Sequence, residues 1–235
     1  MLSRAEIAQN LPDVPRWVEA RACLLDGPCE LLGLQEQPEL AVVIHDSAGS
    51  IFVIGRPAAH TVRAAVQQNP KGTLVAAPDL AAWLADILPP DWKYAPIIVH
   101  QLPDSSRLPS DTGNVGFLDP TMLPQLRVPS DLLDELMDAA THSSIAATFV
   151  NHQPVSFCYA GAVTETRWDI AVDTLVEQRQ RGYAAQCVGF MIRHMHTAGK
   201  HPVWQAVEDN PASWRLAQKL GFVPVDRLAF FESPR

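Results

Sequence analysis

The apolar positions of the chain change period along its length, and each change marks an element. Residues 40–45 and 51–54 are short runs rich in β-branched side chains, separated by Asp46-Ser47-Ala48-Gly49-Ser50, which predicts a hairpin. Ahead of them, residues 14–25 form an amphipathic helical segment, with Pro15 where a first turn tolerates it. Behind them, residues 58–68 read as a helix stopped by Asn69-Pro70-Lys71-Gly72. A short strand at 73–77 follows, then a helix opened by Pro78-Asp79 with Leu80, Trp83, Leu84 and Leu88 on one face. Residues 95–100 form another apolar strand. The next stretch, 102–111, is rich in Pro, Ser and Asp and marks a connection.

The same rhythm returns afterwards. Ser130-Asp131 caps a helix running to about Ala140, with Leu132, Leu133, Leu136 and Met137 turned inward. Strands are predicted at 146–150, 155–159 and 167–172, a long helix at 182–198, a strand at 203–207, a helix at 210–220 stopped by Gly221, and a strand region at 223–231. Each half reads hairpin, helix, strand, helix, strand. The expected organisation is therefore an α/β chain with an N-terminal domain at 1–110 and a second domain at 111–235. On element order alone, the first is a diverged copy of the second.

Composition narrows the classes. With 47% hydrophobic residues over 235 positions, the chain can bury a full core and is not a disordered one. The 18 basic and 26 acidic side chains leave a net charge of −8, a poor match to a nucleic-acid or anionic membrane surface. The acidity is uneven: residues 1–120 carry 8 basic and 14 acidic groups (8 − 14 = −6), residues 121–235 carry 10 and 12 (10 − 12 = −2). Any anion site is thus expected in the second half, where Arg179 and Arg181 stand beside Gly182. The start, Met1-Leu2-Ser3-Arg4-Ala5-Glu6, has no apolar signal core, and no run is long enough to span a bilayer. Cys23, Cys29, Cys158 and Cys187 show no metal-ligand spacing and read as buried thiols in a reducing cytoplasm.

The informative segment is Arg179-Gln180-Arg181-Gly182-Tyr183-Ala184, set between a strand and a helix. A diphosphate at such a turn needs free backbone N–H groups, a positive helix end and no bulk in the way. Gly182 and Ala184 supply the room, and the two arginines supply charge-assisted contacts. An arginine pair before a helix is, by itself, more often a solvated start. About thirty residues on comes Asn210-Pro211-Ala212-Ser213-Trp214-Arg215-Leu216-Ala217-Gln218-Lys219-Leu220-Gly221-Phe222: an Asn at a strand end, then a helix closed by Leu-Gly-Phe. Together with the Q/R-x-x-G-x-G/A turn matched at Arg179, Gly182 and Ala184, this resembles the two signatures of the GNAT N-acetyltransferase superfamily. The resemblance covers residues 120–235, and the segments around Pro154–Tyr159 and Pro202-Val203-Trp204 are similar to a bacterial branch with an N-terminal extension.

The resemblance implies a mixed, mostly antiparallel GNAT-type sheet flanked by helices, and an acetyl-CoA or other acyl-CoA site without a metal. The pyrophosphate would rest on the N–H groups of Gln180, Arg181, Gly182, Tyr183, Ala184 and Ala185, with Arg179 alongside. The pantetheine arm would add like a strand to the backbone of Val172 and Thr174, where the family's fourth and fifth strands splay. Asn210 would reach the pantetheine amide, with Ser213 nearby; a plain helix N-cap is an equally available role for Asn210, and the two are compatible. Asp169 and Glu165 are the base candidates, although Asp169 can also be a structural carboxylate and Glu165 part of the turn after Gly161. The family's usual thiolate acid, a Tyr, is replaced by Ala217, which leaves Tyr159, Cys158 or solvent for that role. A thiolate is itself a tolerable leaving group.

His194 and His196 point to different faces of one helix and make no metal pair. Tyr183, Cys187, Val188, Met191, Ile192 and Met195 run at helical spacing and are core. The expected function is transfer of an acetyl group from acetyl-CoA to the amine of a small molecule or peptide, by direct attack in a ternary complex, in a cytoplasmic protein with no nucleic-acid or membrane partner; a homodimer is compatible with it. The alternative is a non-catalytic acyl-CoA-binding sensor.

Overall fold

The computed structural model describes residues 3–35, 40–46, 49–110 and 113–234. The chain divides into two compact units that interleave in sequence: residues 1–100, 205–214 and 224–235 make the first, and residues 101–204 and 215–223 the second.

In the first unit, α1 (Arg4–Asn10) starts with a capping box between Ser3 and Glu6. A short turn at Pro15–Trp17 leads into α2 (Val18–Leu25). Then come β1 (Cys29–Gln35), β2 (Ala41–Asp46), β3 (Ser50–Ile54), α3 (Ala59–Gln68), β4 (Thr73–Ala76), α4 (Ala81–Ile87), β5 (Lys93–Tyr94) and β6 (Ile97–Gln101). β1, β2 and β3 form an antiparallel meander, and β4 lies parallel to β3 after the α3 crossover. The hairpin tip at Ser47 and Ala48 lies outside the described residues. α3 buries Val62, Ala65 and Val66 on the sheet, where they meet Val43, Ile51 and Leu74. The near-continuous burial along β2 and β3 follows from their β-branched runs, which suit a strand covered on both faces.

In the second unit, β7 (Val115–Phe117) precedes α5 (Ser130–Ala139), β8 (Ala146–Val150), β9 (Gln153–Val163), β10 (Arg167–Thr174) and α6 (Tyr183–Thr197). The chain goes on through β11 (His201–Val207), α7 (Pro211–Lys219) and β12 (Val223–Glu232). The sheet of this unit runs β7-β8-β9-β10 antiparallel, and β11 joins β10 in parallel. On one face, Leu136 and Ala139 of α5 pack with Ala147, Phe157 and Tyr159. On the other, α6 buries Cys187, Val188, Met191 and Ile192. Its Cys187 thiol donates to the Ala146 and Ser156 carbonyls at 3.1 and 3.7 Å. The sheets of both units are mixed and mostly antiparallel with flanking helices, in the α/β class.

Two details depart from the periodicity. α5 is preceded by Pro129 as its N-cap residue, without a side-chain cap, and Met137, expected inside, is 46% exposed. The helix turns only Leu136 and Ala139 fully onto the sheet.

Candidate functional site

β10 carries the geometry that matters. Its parallel ladder with β11 joins Arg167 to His201, Trp168 to Pro202 and Asp169 to Val203, and among the described residues it ends there. Ile170–Thr174 keep their antiparallel partners on β9, from Ala160 to Ser156. Direction along the strand follows from one bond: the Leu175 N–H donates to the Val155 carbonyl of the β9 side at 3.0 Å. Because backbone groups alternate sides, those of Val172 and Thr174 face away from β9, toward the edge that has lost its ladder. A strand edge with unsatisfied N–H and C=O groups is a ready partner for an extended amide-bearing chain.

The strand then runs into the turn before α6. Gln180 and Gly182 both adopt positive φ, 62° and 85°, and Gly182 is the helix N-cap with no side-chain cap bond. A Cβ built on Gly182 would meet nothing within 4 Å. The first turn of α6 carries no acidic residue, and its leading N–H groups, at Tyr183, Ala184 and Ala185, precede the first intrahelical acceptor pair, Gln186 N–H to Gly182 C=O. The helix start is pinned to the sheet by Thr148, whose hydroxyl donates to the Tyr183 carbonyl at 3.1 Å. Arg179 and Arg181 are exposed beside it, and Arg179 Nε donates to the Thr174 carbonyl at 3.2 Å. An uncapped positive helix end, an open glycine and two arginines together make an anion cradle at the end of an open strand edge.

The catalytic candidates fall in three places. Glu165 is exposed in the turn ahead of β10, where Lys200 Nζ donates to its carbonyl at 2.9 Å. Nine residues of extended chain, roughly 30 Å at strand rise, separate it from Thr174. Asp169 is buried at the last rung of the β10–β11 ladder, and Gly161 leaves a Cβ position 3.8 Å from its Oδ2. Tyr159 is buried, and its hydroxyl donates to Glu135 Oε2 of α5 at 3.2 Å. The pair Glu135–Tyr159 continues to Asp173 on β10. Burial, then the nearby Asp173 charge, raises the Glu135 carboxyl; burial raises Asp173, while Arg179 pulls it back. Burial and the same carboxylates keep the Tyr159 phenol protonated far above its usual range. Glu135 and Asp173 went unnoticed in the sequence because one looks like the polar side of a helix and the other like a strand alternation.

Asn210 and Ser213 belong to the other unit, and Asn210 Oδ1 accepts the Ser213 N–H at 3.2 Å, the bond of a helix N-cap. Ala217 is fully buried, with its carbonyl taken by the Phe222 N–H at 3.0 Å. Among the described residues, no group of three or more His, Cys, Asp and Glu is placed to hold a metal ion.

Residues 146–231 match the family model of the GNAT acetyltransferases. No curated protein matches the chain. A GCN5-related N-acetyltransferase-like protein from Streptococcus suis 89/1591 is similar in structure at a TM-score of 0.73, with 18% identity over 99% of this chain and 98% of that one. A GCN5-related N-acetyltransferase from Kribbella flavida is similar at a TM-score of 0.59, with 13% identity over 100% and 96%. A tandem GNAT protein from the clavulanic acid biosynthesis pathway is similar at a TM-score of 0.57, with 14% identity over 99% and 95%. These likenesses show a GNAT-like fold, and the tandem neighbour is consistent with a second GNAT-like half at the N-terminus.

In the first unit the corresponding places are closed. Where the β10–β11 ladder stops early, the β3–β4 ladder runs from Ser50–Thr73 to Val53–Ala76, the full length of β4. At the turn after β3, a Cβ on Gly55 would stand 2.2 Å from the Leu40 carbonyl, so another strand fills the space that is open over Gly182. Arg56 lies over the Trp83 ring at 5.3 Å instead of beside a helix start. The GNAT-like site geometry is therefore a property of the second unit.

Proposed function

We propose that the chain is an acyl-CoA-dependent N-acetyltransferase with a single acyl-CoA site, in the second unit. The observation that carries this reading is the open edge of β10 at Ile170–Thr174 leading directly to the uncapped, arginine-flanked start of α6. Acetyl-CoA would supply the thioester carbonyl to be attacked and a thiolate leaving group. The N–H groups of residues 180–185 with Arg179 and Arg181 hold the diphosphate, and Val172 and Thr174 present backbone groups to the pantetheine amides. Arg179 exchanges its bond to the Thr174 carbonyl for phosphate on binding.

Asp173, coupled to Glu135, receives the proton that the amine loses as the C–N bond forms. Both carboxyls are raised by burial toward neutral pH, the direction a base of this kind needs. Asp169, four residues earlier on β10, holds its place as a structural carboxylate. The Tyr159 phenol fixes the Glu135 rotamer and stays a proton donor. The acceptor is an amine of a small molecule or peptide.

Isothermal titration with acetyl-CoA tests the site. The wild type binds; Gly182→Glu places a carboxylate in the cradle and abolishes binding while the melting profile keeps its cooperative transition. Undiminished binding by Gly182→Glu would falsify the placement. Ala217 favours a second reading, an acyl-CoA sensor without turnover, because the buried position offers no side-chain donor. Tight acetyl-CoA binding with no release of free thiol across amines and peptides selects that reading.

A further inference from the structure

Cys23 lies in the last turn of α2 and Cys29 begins β1, and the loop between them folds back sharply. A Cβ on Gly27 would stand 3.1 Å from the Cys23 Cα and 3.2 Å from its carbonyl oxygen. The Cys29 thiol donates to the Cys23 carbonyl at 3.3 Å, which brings the two side chains to the same end of the loop. Arg4 of α1 clamps the loop, with Nη2 donating to the Cys23 carbonyl at 2.6 Å and to the Gly27 carbonyl. Cys23 is buried and Cys29 half-buried, so one thiol is reachable and the other waits behind it. The cation facing the pair is Arg4; the opposing carboxylate is Asp46, the β2 partner of Cys29.

We infer that Cys23 and Cys29 form a dithiol oxidised by hydroperoxides, with Cys29 as the attacking sulfur and Cys23 as the resolving one. The environment divides the roles. The neighbouring Cys23 thiol and Arg4 pull the Cys29 thiol down to about 7, while the Cys29 side chain and burial push Cys23 up. Thiolate character with access is what selects a peroxide-reactive cysteine. The Cys29 thiolate attacks one oxygen of the O–O bond, which breaks; the departing oxygen takes a proton and leaves as alcohol or water, and Cys29 becomes a sulfenic acid. Cys23 then attacks that sulfur, the S–O bond breaks, and the hydroxyl leaves as water with the Cys23 proton. Two thiols and one hydroperoxide give one disulfide, one alcohol (water from hydrogen peroxide) and one water.

The other two cysteines provide the contrast. Cys158 and Cys187 are fully buried, burial pushes both thiols up, and Cys187 is spent on backbone carbonyls. The site lies wholly in the first unit and is independent of the acyl-CoA reading.

The test uses the full chain and hydrogen peroxide, followed by unfolding, alkylation, trypsin and mass spectrometry. Residues 22–63 form one tryptic fragment, since the Arg56-Pro57 bond resists cleavage, and Cys23 and Cys29 are its sole cysteines. After peroxide this fragment loses two hydrogens and takes no alkyl group, while Cys158 and Cys187 remain fully alkylated. In Cys23→Ser, dimedone labels Cys29; in Cys29→Ser, Cys23 stays a thiol. A wild-type fragment still alkylated twice, or four cysteines oxidised at one rate, overturns the inference without recourse to either variant.

Discussion

At the end of β10 the Arg179 charge acts on the Asp173 carboxyl, and that influence sets the pH response of the proposed reaction. Burial raises the Asp173 carboxyl and Arg179 opposes that rise. A base must be deprotonated to work, so activity falls on the acid side as pH drops through its pKa. Arg179→Ala removes the opposing cation, and the acid limb of the kcat/KM profile is expected to move to higher pH. Asp173→Asn is expected to lower kcat by about 10²–10⁴ while acetyl-CoA still binds by titration. An unchanged acid limb in Arg179→Ala would assign the proton transfer elsewhere. Stability has its own residue-scale titration. Glu19 is raised to about 7 by burial and by the Asp46 charge. The contribution of a raised carboxyl is complete below its ordinary value of 4.5, and it is lost as pH climbs through 7. Glu19→Gln therefore flattens the decline of melting temperature between those two pH values; an unaltered slope would show that Glu19 ionises freely in the folded chain.

At the scale of elements, two strand-to-helix turns with the same glycine conformation are expected to respond differently. Gly55 and Gly182 sit at φ 61° and 85°, so an alanine is strained at either. Gly55→Ala also drives its Cβ into the Leu40 carbonyl and is expected to cost about 3 kcal/mol, read by chemical denaturation. Gly182→Ala meets open space and is expected to cost only the conformational strain, about 1 kcal/mol. Equal costs would mean the N-terminal turn is as open as the C-terminal one. The α6 turn was legible in the sequence because its determinants are local: Arg179, Gly182 and Ala184 lie within six residues. β2, β3, β8 and α6 were legible for the same reason, through uninterrupted periodicity. β1 was not, because Gly33 at φ 62° breaks the alternation of Cys29–Gln35 and bends the strand against Thr61. The Glu135–Tyr159–Asp173 cluster was hidden by distance along the chain. Glu135 meets Tyr159 across 24 positions, and nothing in the helical pattern of Leu132, Leu133 and Leu136 distinguishes it from Asp134 or Asp138 as a solvated charge.

For the whole molecule, the first compact unit draws two segments, residues 205–214 and 224–235, from the C-terminal part of the chain. Residues 224–235 belong to the same unit as residues 1–100. β12 pairs antiparallel with β4 from Ala229–Ala76 to Glu232–Thr73, and with β5 at Phe231–Tyr94 and Glu232–Lys93. Ala229 and Phe231 are core residues of the first unit, and Asp226 holds Arg16 in a two-bond ion pair at 2.6 and 2.7 Å. Hydrophobic burial is blind to sequence distance, so a strand contributed by the last residues stabilises the first hundred as fully as a neighbour would. A chain ending at Val223 keeps every residue of the second unit but strips a strand from the first and leaves β4 with an exposed edge. Limited proteolysis of that truncated chain is expected to cut first within residues 1–100, and mapped fragments spanning residues 101–204 are expected to persist longer. The complementary fragment, residues 111–235, carries β12 without β4 and is expected to aggregate through that unpaired strand. A truncated chain whose first hundred residues resist protease as the intact protein does would show that β12 is dispensable there, and that the two halves fold in the order in which they are written.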